Sequence, residues 1–440
     1  MLDLWLAAGH YPGMSKHIHT ITHGCRLNLR ESEVMAELAR KAGLDHAVLI
    51  NTCAVTNEAA RQSRQSVRKA VRENPGTKII VTGCAAQIAP QDFQAIDGVE
   101  RILGNVEKMR PESYRQPESH DGNEITHVSD IMKARRRSVP LPPQATPARA
   151  RAIVEVQTGC DHRCTFCIIP YGRGNSRSVE KAAIISQIKA LCAAGMNEIV
   201  LSGVDISSWG SDLEGTPKPG ELVADILNAV PDLPRLRLSS IDPAEIDETL
   251  IALIGSEPRL CPYLHLSIQH GDNLILKRMK RRHSREQAIE LCRNLRKARP
   301  DISFGADLIA GFPTETEAMF ENTLRIIEEC GLNWLHVFPY SARTGTPAAK
   351  MPQVNGRQIK ARAKALREAG NTARTAFLKS RAYGHDLALI EKTPQAQKHG
   401  LGRLADFSPV RLPVHNLAPG SLHPVRITGY DETTLIGDFV

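Results

Sequence analysis

The chain has 440 residues, of which 42% are hydrophobic and 24% are charged. This globular composition excludes a disordered or collagen-like chain, and at about 150 residues per domain the length predicts about three domains. The net charge of +8 permits a polyanionic partner without identifying one, and no apolar run approaches the roughly 18 residues of a membrane helix, so we expect a cytoplasmic protein without membrane contact.

The first part of the chain, residues 15–110, alternates strand and helix patterns, and a cysteine follows each strand pattern. Strand patterns at about His17–His23, Ala47–Ile50 and Lys78–Thr82 precede Cys25, Cys53 and Cys84, with helical patterns at about Glu31–Ala42 and Glu58–Arg72. Such alternation predicts a parallel sheet, in which the loops after the carboxyl ends of the strands gather at one edge. The three thiols are therefore expected to converge.

The next segment, residues 111–148, breaks this pattern and predicts a basic, proline-rich linker. Its prolines are Pro140, Pro142, Pro143 and Pro147, and its basic cluster is Lys133, Arg135, Arg136 and Arg137.

Residues 149–375 predict a six-unit βα repeat. The strand patterns are Ala152–Gln157, Glu198–Ser202, Arg235–Ser239, Tyr263–Ile268, Ile302–Ile309 and Trp334–Pro339. Six such units are enough for a partial barrel, whose chemistry is expected at the carboxyl ends of the strands. Ser284 and Gln287 form a capping box that predicts a helix ending before Pro300.

Residues 376–440 change to short alternating strands broken by glycine and proline, which predicts a small β-barrel. The strand patterns are Leu387–Glu391, Gly402–Leu404, Val410–Leu412, Val425–Thr428 and Thr434–Asp438. The predicted fold class is therefore α/β, with an N-terminal parallel-sheet domain, a central partial (βα)6 barrel and a small all-β barrel.

The ten cysteines are better read as metal ligands or buried thiols than as disulfides, because a cytosolic compartment keeps thiols reduced. Cys160, Cys164 and Cys167 stand close together in GCDHRCTFC. A cubane iron-sulfur cluster needs four ligands, so three cysteines leave one iron open to a reactant. The alternative is a structural zinc with His162 as its fourth ligand. We expect the single cysteines at positions 192, 261, 292 and 330 to be buried thiols.

The spacing CxxxCxxC at the end of the first barrel strand resembles the signature of radical S-adenosylmethionine (SAM) enzymes. This resemblance implies a [4Fe-4S] cluster on Cys160, Cys164 and Cys167. In that family the open iron chelates SAM, and an electron from the reduced cluster cleaves SAM to a 5′-deoxyadenosyl radical. The positions that the resemblance implies for SAM binding are Phe166, Gly203, Asp205 and Ser239.

Nearly the whole chain resembles the methylthiotransferase family of radical SAM enzymes. The motifs that carry the resemblance are HGCRLNLRES, INTCAVTNEAARQSRQ, VTGCAAQ, HLSIQHGDNLILKRMKRRH, GADLIAGFPTET and FPYSARTGTPA. The resemblance implies a second [4Fe-4S] cluster on Cys25, Cys53 and Cys84 that carries the sulfur to be inserted, and an RNA-binding TRAM module in the β-rich tail. The partners it implies are a tRNA anticodon stem-loop, an electron donor such as flavodoxin or ferredoxin, and a sulfur source.

Within that family, GCRLN and NTCAVTNEAARQSRQ resemble the branch that acts on N6-threonylcarbamoyladenosine at position 37 of tRNA. The implied reaction is methylthiolation of carbon 2 (C2) of that base. No histidine or carboxylate is expected to act as a base, because the C2–H bond has no acidity to exploit. The alternatives are the same chemistry on isopentenyladenosine in tRNA or on a ribosomal protein, and a non-catalytic iron-sulfur protein that binds RNA as a redox sensor or sulfur carrier.

Two positions depart from the family pattern. His270 stands where a small residue is expected, and Thr158 where asparagine is common.

Two basic stretches suit an RNA phosphate backbone. The segment Lys277–Arg299 has ten Lys or Arg against Glu286 and Glu290. A second stripe, on one helix face, comprises Arg61, Arg64, Arg68 and Arg72, for which a solvated helix face is the alternative explanation.

Overall fold

The computed structural model describes residues 18–115, 125–135, 149–392, 399–413 and 417–440. These residues form two compact units. The first comprises the described part of residues 1–143 with Gln157–Val179 and Ser341–Thr346, and the second comprises the described part of residues 144–156, 180–340 and 347–440. Among the described residues, the helices include none with the length and hydrophobicity of a transmembrane segment.

The first unit is built on a five-stranded sheet. Its elements are β1 (Ile18–Thr22), α1 (Arg26–Lys41), β2 (Ala47–Thr52), α2 (Asn57–Glu73), β3 (Lys78–Gly83), α3 (Cys84–Ile88), α4 (Gln91–Gln94), β4 (Arg101–Leu103) and β5 (Thr126–His127). The strand order is β1-β2-β3-β4-β5, and every neighbouring pair is parallel. The predicted parallel sheet is confirmed.

This sheet buries an apolar core on each face. Val48 and Ile50 of β2 pack with Val67 of α2 on one side. Leu49, between them, packs with Met35 of α1 on the other side. Every residue of β2 is therefore buried, as is usual for a parallel strand covered by helices on both faces.

Part of the predicted linker is folded into this sheet. Strand β5 pairs with β4 through Ile102↔Thr126 and Leu103↔His127, and Ile131 is buried. The pairing uses backbone hydrogen bonds, which the proline and charge pattern of the segment does not reveal. The remainder of the linker, with Arg136 and Arg137, lies outside the described residues.

The cysteine motif of residues 160–167 belongs to the first unit. After β6 (Ala152–Glu155), a strand of the second unit, come β7 (Gln157–Thr158), α5 (Ile169–Arg173) and β8 (Arg177–Ser178). Strands β7 and β8 form an antiparallel ribbon. Ile168, directly after the motif, is buried in the same apolar cluster as Val81 and Ile102 of the five-stranded sheet.

The second unit contains the predicted βα repeat. Its further elements are α6 (Lys181–Ala193), β9 (Glu198–Ser202), α7 (Pro219–Ala229), β10 (Arg235–Leu238), β11 (Ser240–Ile241), α8 (Glu248–Ser256), β12 (Tyr263–Gln269), α9 (Asn273–Arg278), α10 (Arg285–Ala298), β13 (Ser303–Ala310), α11 (Glu317–Cys330), β14 (Leu332–Pro339) and α12 (Gly356–Ser380). Its parallel strands are ordered β10-β9-β6 and β11-β12-β13-β14. Helix α10 begins at the predicted capping box, since Ser284 and Gln287 each accept a hydrogen bond from the other's backbone N–H.

The C-terminal strands of the second unit close into the predicted small barrel. They are β15 (His385–Lys392), β16 (His399–Arg403), β17 (Pro409–Pro413), β18 (Leu422–Tyr430) and β19 (Leu435–Phe439). The barrel order is β15-β16-β17-β19-β18.

The small barrel packs against residues at the amino ends of the βα strands. Tyr263, the first residue of β12, stacks on Phe407 with ring centroids 4.5 Å apart. Arg237 of β10 donates to the carbonyl of Ala405 at 3.0 Å and to Glu198, the first residue of β9, at 3.0 Å. These contacts occupy the end opposite to the one where βα folds place their chemistry.

Candidate metal and cofactor sites

The structure places Cys25, Cys53 and Cys84 at the carboxyl ends of three neighbouring strands. Cys25 precedes α1, Cys53 follows β2, and Cys84 is the first residue of α3, directly after β3. Since β1, β2 and β3 are adjacent in the sheet, the three loops share one edge, as the sequence predicts. Cys53 and Cys84 are buried, whereas Cys25 is exposed.

A glycine before two of these cysteines allows the loops to approach closely. Gly24 has φ +94°, and a Cβ there would lie 2.8 Å from Cys53 Sγ. Gly83 has φ +99°, and a Cβ there would lie 2.4 Å from the backbone of Thr52. Any larger residue would have to push the loops apart, and the left-handed backbone also favours glycine.

A buried network of charged side chains lies beside these thiols. Arg173 Nε is 3.3 Å from Cys84 Sγ, and Arg173 Nη1 donates to Glu31 Oε1 at 2.6 Å. Lys108 Nζ donates to Glu31 Oε2 at 2.7 Å. Burial by itself would raise the pKa of Glu31, but the positive charges of Arg173 and Lys108 outweigh it and lower this pKa to about 2. Glu31 is therefore a carboxylate at neutral pH.

Asn28 connects the network to the other two loops. Its Nδ2 donates to the carbonyls of His23 at 2.7 Å and Thr52 at 3.0 Å, which ties the loops after β1 and β2 together. Its Oδ1 accepts from Arg173 and lies 3.8 Å from Cys25 Sγ.

The bare thiols of this site are poor thiolates. Burial raises the pKa of Cys53 to about 12, with the neighbouring Cys84 and Cys25 acting in the same direction. A metal centre supplies the positive charge that such thiols need in order to ionise. Three sulfur donors on one edge, beside a fixed guanidinium, fit a [4Fe-4S] cluster with one open iron.

Sequence reasoning missed the network of Glu31, Lys108 and Arg173. Arg173 stands six residues after Cys167, and Glu31 was expected only as the start of a helix. Because these three residues lie far apart in the chain, they form no local sequence pattern. In the structure Glu31 lies inside α1, which begins at Arg26, and it is buried there.

The second set of cysteines, Cys160, Cys164 and Cys167, lies in the loop between β7 and α5. All three are partly buried. The backbone N–H of Cys160 donates to the carbonyl of Gly174 at 3.0 Å, and that of Cys167 donates to the carbonyl of Cys164 at 3.0 Å. The loop is closed on itself between the β7–β8 ribbon and α5, which suits three ligands of one metal centre.

Hydrogen bonds of polar side chains across the ribbon also hold this loop in place. Gln157 Nε2 donates to Ser176 Oγ at 2.8 Å, and the N–H of Ser176 donates to Asp161 Oδ1 at 3.0 Å. Arg163 donates to the carbonyl of Cys160 at 2.7 Å.

Three of the residues predicted to bind SAM lie at neighbouring strand ends of the second unit. Gly203 and Asp205 follow β9, and Ser239 follows β10, which pairs with β9. The N–H of Ser239 donates to the carbonyl of Leu201 at 3.0 Å. The Ser239 hydroxyl is buried and has no hydrogen-bond partner in the described part of the chain, which fits a site where a ligand supplies one. Phe166, the fourth predicted residue, belongs to the first unit.

A chain of polar side chains that sequence reasoning also missed crosses strands β12, β13 and β14. Tyr263 Oη donates to His265 Nδ1 at 2.9 Å. Asp307 Oδ1 accepts from His265 Nε2 at 2.9 Å and from His336 Nδ1 at 3.1 Å. These roles follow because a carboxylate only accepts hydrogen bonds. A Cβ on Gly305 would lie 2.6 Å from His265 Nδ1, so glycine makes room for the chain.

This polar chain faces away from the helix layer. Leu335, next to His336, contacts Gly370 of α12, so His336 points to the opposite side of the sheet. The His336 side chain is 42% exposed. Burial would raise the pKa of Asp307, but His265 and His336 outweigh it and lower that pKa. The sequence signal that was available is one histidine or aspartate inside each of three consecutive strand patterns, namely His265, Asp307 and His336.

Much of the predicted basic surface is paired internally. Arg281 pairs with Asp242 at 2.9 Å, and Arg64 pairs with Asp92 at 3.1 Å. Arg61 pairs with Glu58 at 2.6 Å. The charge available to a phosphate backbone is therefore smaller than the local count of Lys and Arg suggests.

His270, which departs from the family pattern, is part of the core of the second unit. The N–H of Asp272 donates to His270 Nδ1 at 3.0 Å, so Nε2 carries the proton and donates to Glu315 Oε1 at 2.7 Å. Glu315 also accepts from Arg362 at 2.8 Å. The imidazole is thus fully buried without an unpaired nitrogen.

Two family models match the chain. Residues 154–327 match the radical SAM superfamily, and residues 17–104 match the uncharacterized protein family UPF0004.

Relatives cover almost the entire chain. It is 45% identical over 412 residues to the threonylcarbamoyladenosine tRNA methylthiotransferase MtaB of Rickettsia prowazekii (strain Madrid E), which covers 94% of this chain and 95% of the relative. It is 33% identical to the tRNA-2-methylthio-N(6)-dimethylallyladenosine synthase of Carboxydothermus hydrogenoformans, over 76% of this chain and 75% of the relative. The cobalamin-dependent S-adenosylmethionine radical enzyme OxsB has a similar fold, with a TM-score of 0.50 at 11% identity over 82% of this chain and 56% of that one.

Proposed function

Because this chain belongs to the radical SAM methylthiotransferase family, we propose that it methylthiolates C2 of N6-threonylcarbamoyladenosine at position 37 of tRNA. Enzymes of this family use SAM and two [4Fe-4S] clusters. The observation that carries the substrate is the 45% identity, over 94% of the chain, to a threonylcarbamoyladenosine tRNA methylthiotransferase. Relatives named tRNA-2-methylthio-N(6)-dimethylallyladenosine synthase are 33–34% identical, in the same range as the more distant relatives named MtaB, at 32–33%.

In this proposal the two sets of cysteines hold the two clusters. Cys160, Cys164 and Cys167 hold the cluster that binds SAM, in the loop between β7 and α5. The loops after β1, β2 and β3 hold the second cluster through Cys25, Cys53 and Cys84. The buried hydroxyl of Ser239 and the carboxylate of Asp205, at the ends of β10 and β9, supply polar contacts to SAM. Phe166 and Gly203 complete the proposed SAM-binding residues.

When bound, two molecules of SAM would supply a 5′-deoxyadenosyl radical and a methyl group, and the second cluster would carry the sulfur to be inserted. The protein's own residues position the reactants. The thiols set where the open irons lie, and their loops are held by Asn28 in one site and by the β7–β8 ribbon in the other. The electron comes from a small redox protein such as flavodoxin or ferredoxin, and the sulfur from a separate donor.

The polar chain through Asp307 ends at the exposed imidazole of His336, and in this proposal that imidazole binds the threonylcarbamoyl group. The threonylcarbamoyl group carries a carboxylate, a hydroxyl and a urea, all of which need hydrogen-bond partners when they leave water. An isopentenyl group is apolar and can form no hydrogen bond with the exposed imidazole of His336. A site built for polar groups rejects an analogue that lacks them.

Replacing His336 by alanine tests this role. With tRNA that carries threonylcarbamoyladenosine we expect kcat/KM to fall about 10-fold or more, because a hydrogen bond to a charged group contributes about 1.5–3 kcal/mol. With tRNA that carries isopentenyladenosine the already low rate should not fall further. His127→Ala, at an exposed histidine of β5, is the control. An equal loss with both tRNAs would assign His336 to folding or to general positioning.

The substrate itself is tested by mass spectrometry of digested tRNA from a strain that lacks the gene. We expect loss of 2-methylthio-N6-threonylcarbamoyladenosine and accumulation of its unmethylthiolated parent. Loss of the methylthio mark from isopentenyladenosine would assign the enzyme to the other tRNA branch. Unchanged tRNA with a mark missing from a ribosomal protein would assign it to protein modification.

A further inference from the structure

Arg173 connects the two cysteine sites of the first unit. It ends α5, six residues after Cys167, so it belongs to the segment that carries the SAM-cluster cysteines. Its guanidinium nevertheless lies beside a cysteine of the other site, with Nε 3.3 Å from Cys84 Sγ. The Arg173 side chain is 3% exposed, so water cannot replace this contact.

The direction of this hydrogen bond is fixed by the other contacts of the guanidinium. Arg173 Nη1 and Nη2 donate to the two oxygens of Glu31 at 2.6 and 2.9 Å, a fork that leaves Nε–H aimed at the sulfur. Lys108 holds Glu31 from the other side at 2.7 Å. Asn105 Nδ2 donates to the carbonyl of Gly172 at 2.5 Å and so fixes the backbone just before Arg173.

The charged side chains of this network also place a net positive charge beside the thiols of the N-terminal site. Arg173 pairs with Glu31 at 2.6 Å and Lys108 pairs with the same carboxylate at 2.7 Å, so two cations share one anion and the ion-paired set has one net positive charge. A [4Fe-4S]²⁺ cluster with three thiolates has one net negative charge, and one-electron reduction adds another. A positive charge in a buried site stabilises the more negative state, and hydrogen bonds to cluster sulfurs act in the same direction.

We propose that Arg173 is a positioning residue of the N-terminal cluster, and that its hydrogen bond to the Cys84 sulfur raises the reduction potential of that cluster. The proposal rests on the assignment of Cys25, Cys53 and Cys84 as ligands. Arg173 follows the cysteine motif of the other cluster in the chain, yet in this proposal it tunes the reduction potential of the N-terminal cluster.

The test uses the full-length chain with Cys160, Cys164 and Cys167 replaced by alanine, so that any cluster signal comes from the N-terminal site. R173Q and R173K are reconstituted anaerobically, and the midpoint potential is measured by a redox titration followed by electron paramagnetic resonance. We expect a negative shift in R173Q, which loses the charge. R173K, which keeps the charge but not the fork, should show a smaller negative shift.

Arg30→Gln is the matched control, because Arg30 is a buried arginine of the same unit that pairs with Glu33 rather than with a thiol. Its potential should stay at the parent value. Potentials of R173Q and R173K equal to the parent would overturn the proposal, as would the same shift in Arg30→Gln. If R173Q holds no iron, R173K decides by the same criterion.

The ligand assignment has its own readout in this experiment. Replacing Cys25, Cys53 and Cys84 by alanine in the same background should remove all remaining iron. If that protein still holds a cluster, the assignment fails. If it holds none and the potentials do not move, only the role of Arg173 fails.

Discussion

Replacing Cys160, Cys164 and Cys167 together by alanine is expected to abolish formation of 5′-deoxyadenosine and to lower the iron content from about eight to about four atoms per chain. The three thiols lie in one loop closed by the hydrogen bonds of Cys160 and Cys167, so removing them removes every protein ligand of that cluster. Without a reducible cluster, SAM receives no electron. Iron analysis and chromatography of the SAM products after anaerobic reconstitution measure both effects.

The control for this variant is the replacement of Cys192 and Cys261 by alanine. Cys192 is partly buried and Cys261 is buried in the second unit, and neither belongs to a cysteine motif. This protein should keep its iron and its SAM cleavage. Unchanged iron in the triple variant, or zinc in place of iron with His162 as a fourth ligand, would contradict the assignment of the motif.

Replacing Cys25, Cys53 and Cys84 by alanine is expected to eliminate the methylthio product while SAM cleavage remains measurable. These thiols come from the loops after β1, β2 and β3, whereas the SAM-cluster thiols come from the loop after β7, so the two ligand sets can be removed separately. About four irons should remain. The assay compares 5′-deoxyadenosine with methylthiolated tRNA in the same reaction.

Two outcomes would contradict this second prediction. A variant that still makes methylthiolated tRNA would show that sulfur is inserted without these cysteines. A variant that loses SAM cleavage together with the product would show that the two sites depend on each other. Circular dichroism of the variant distinguishes that dependence from unfolding.

The position of the small barrel has a consequence for how RNA reaches the enzyme. Phe407 and Ala405 of the barrel region contact Tyr263 and Arg237 at the amino ends of the βα strands. We therefore expect a nucleotide base that enters the βα repeat to come from the carboxyl ends of the strands, where Gly203 lies. Flipping a base out of a single-stranded loop costs less than extracting it from a duplex, which suits a position beside the anticodon.

The sequence by itself determined the parallel sheet, the six-unit βα repeat and the small β-barrel. These follow from local periodicity, because the alternation of strand and helix is written within each stretch of residues. It also placed Cys25, Cys53 and Cys84 in loops at one edge of the sheet. In a parallel sheet, consecutive strands bring such loops together whatever the side chains around them are.

Tertiary structure alone decided which side chains surround these sites. Arg173 and Glu31 are 142 positions apart, and Lys108 and Glu31 are 77 positions apart. The polar chain through Asp307 likewise depends on the register of three strands, since His265 pairs with Gly305 and Asp307 pairs with His336. Periodicity indicates which face of a helix or strand a residue occupies, but not which distant residue it contacts there. Burial then favours the pairing of charged residues, because an unpaired buried charge is costly.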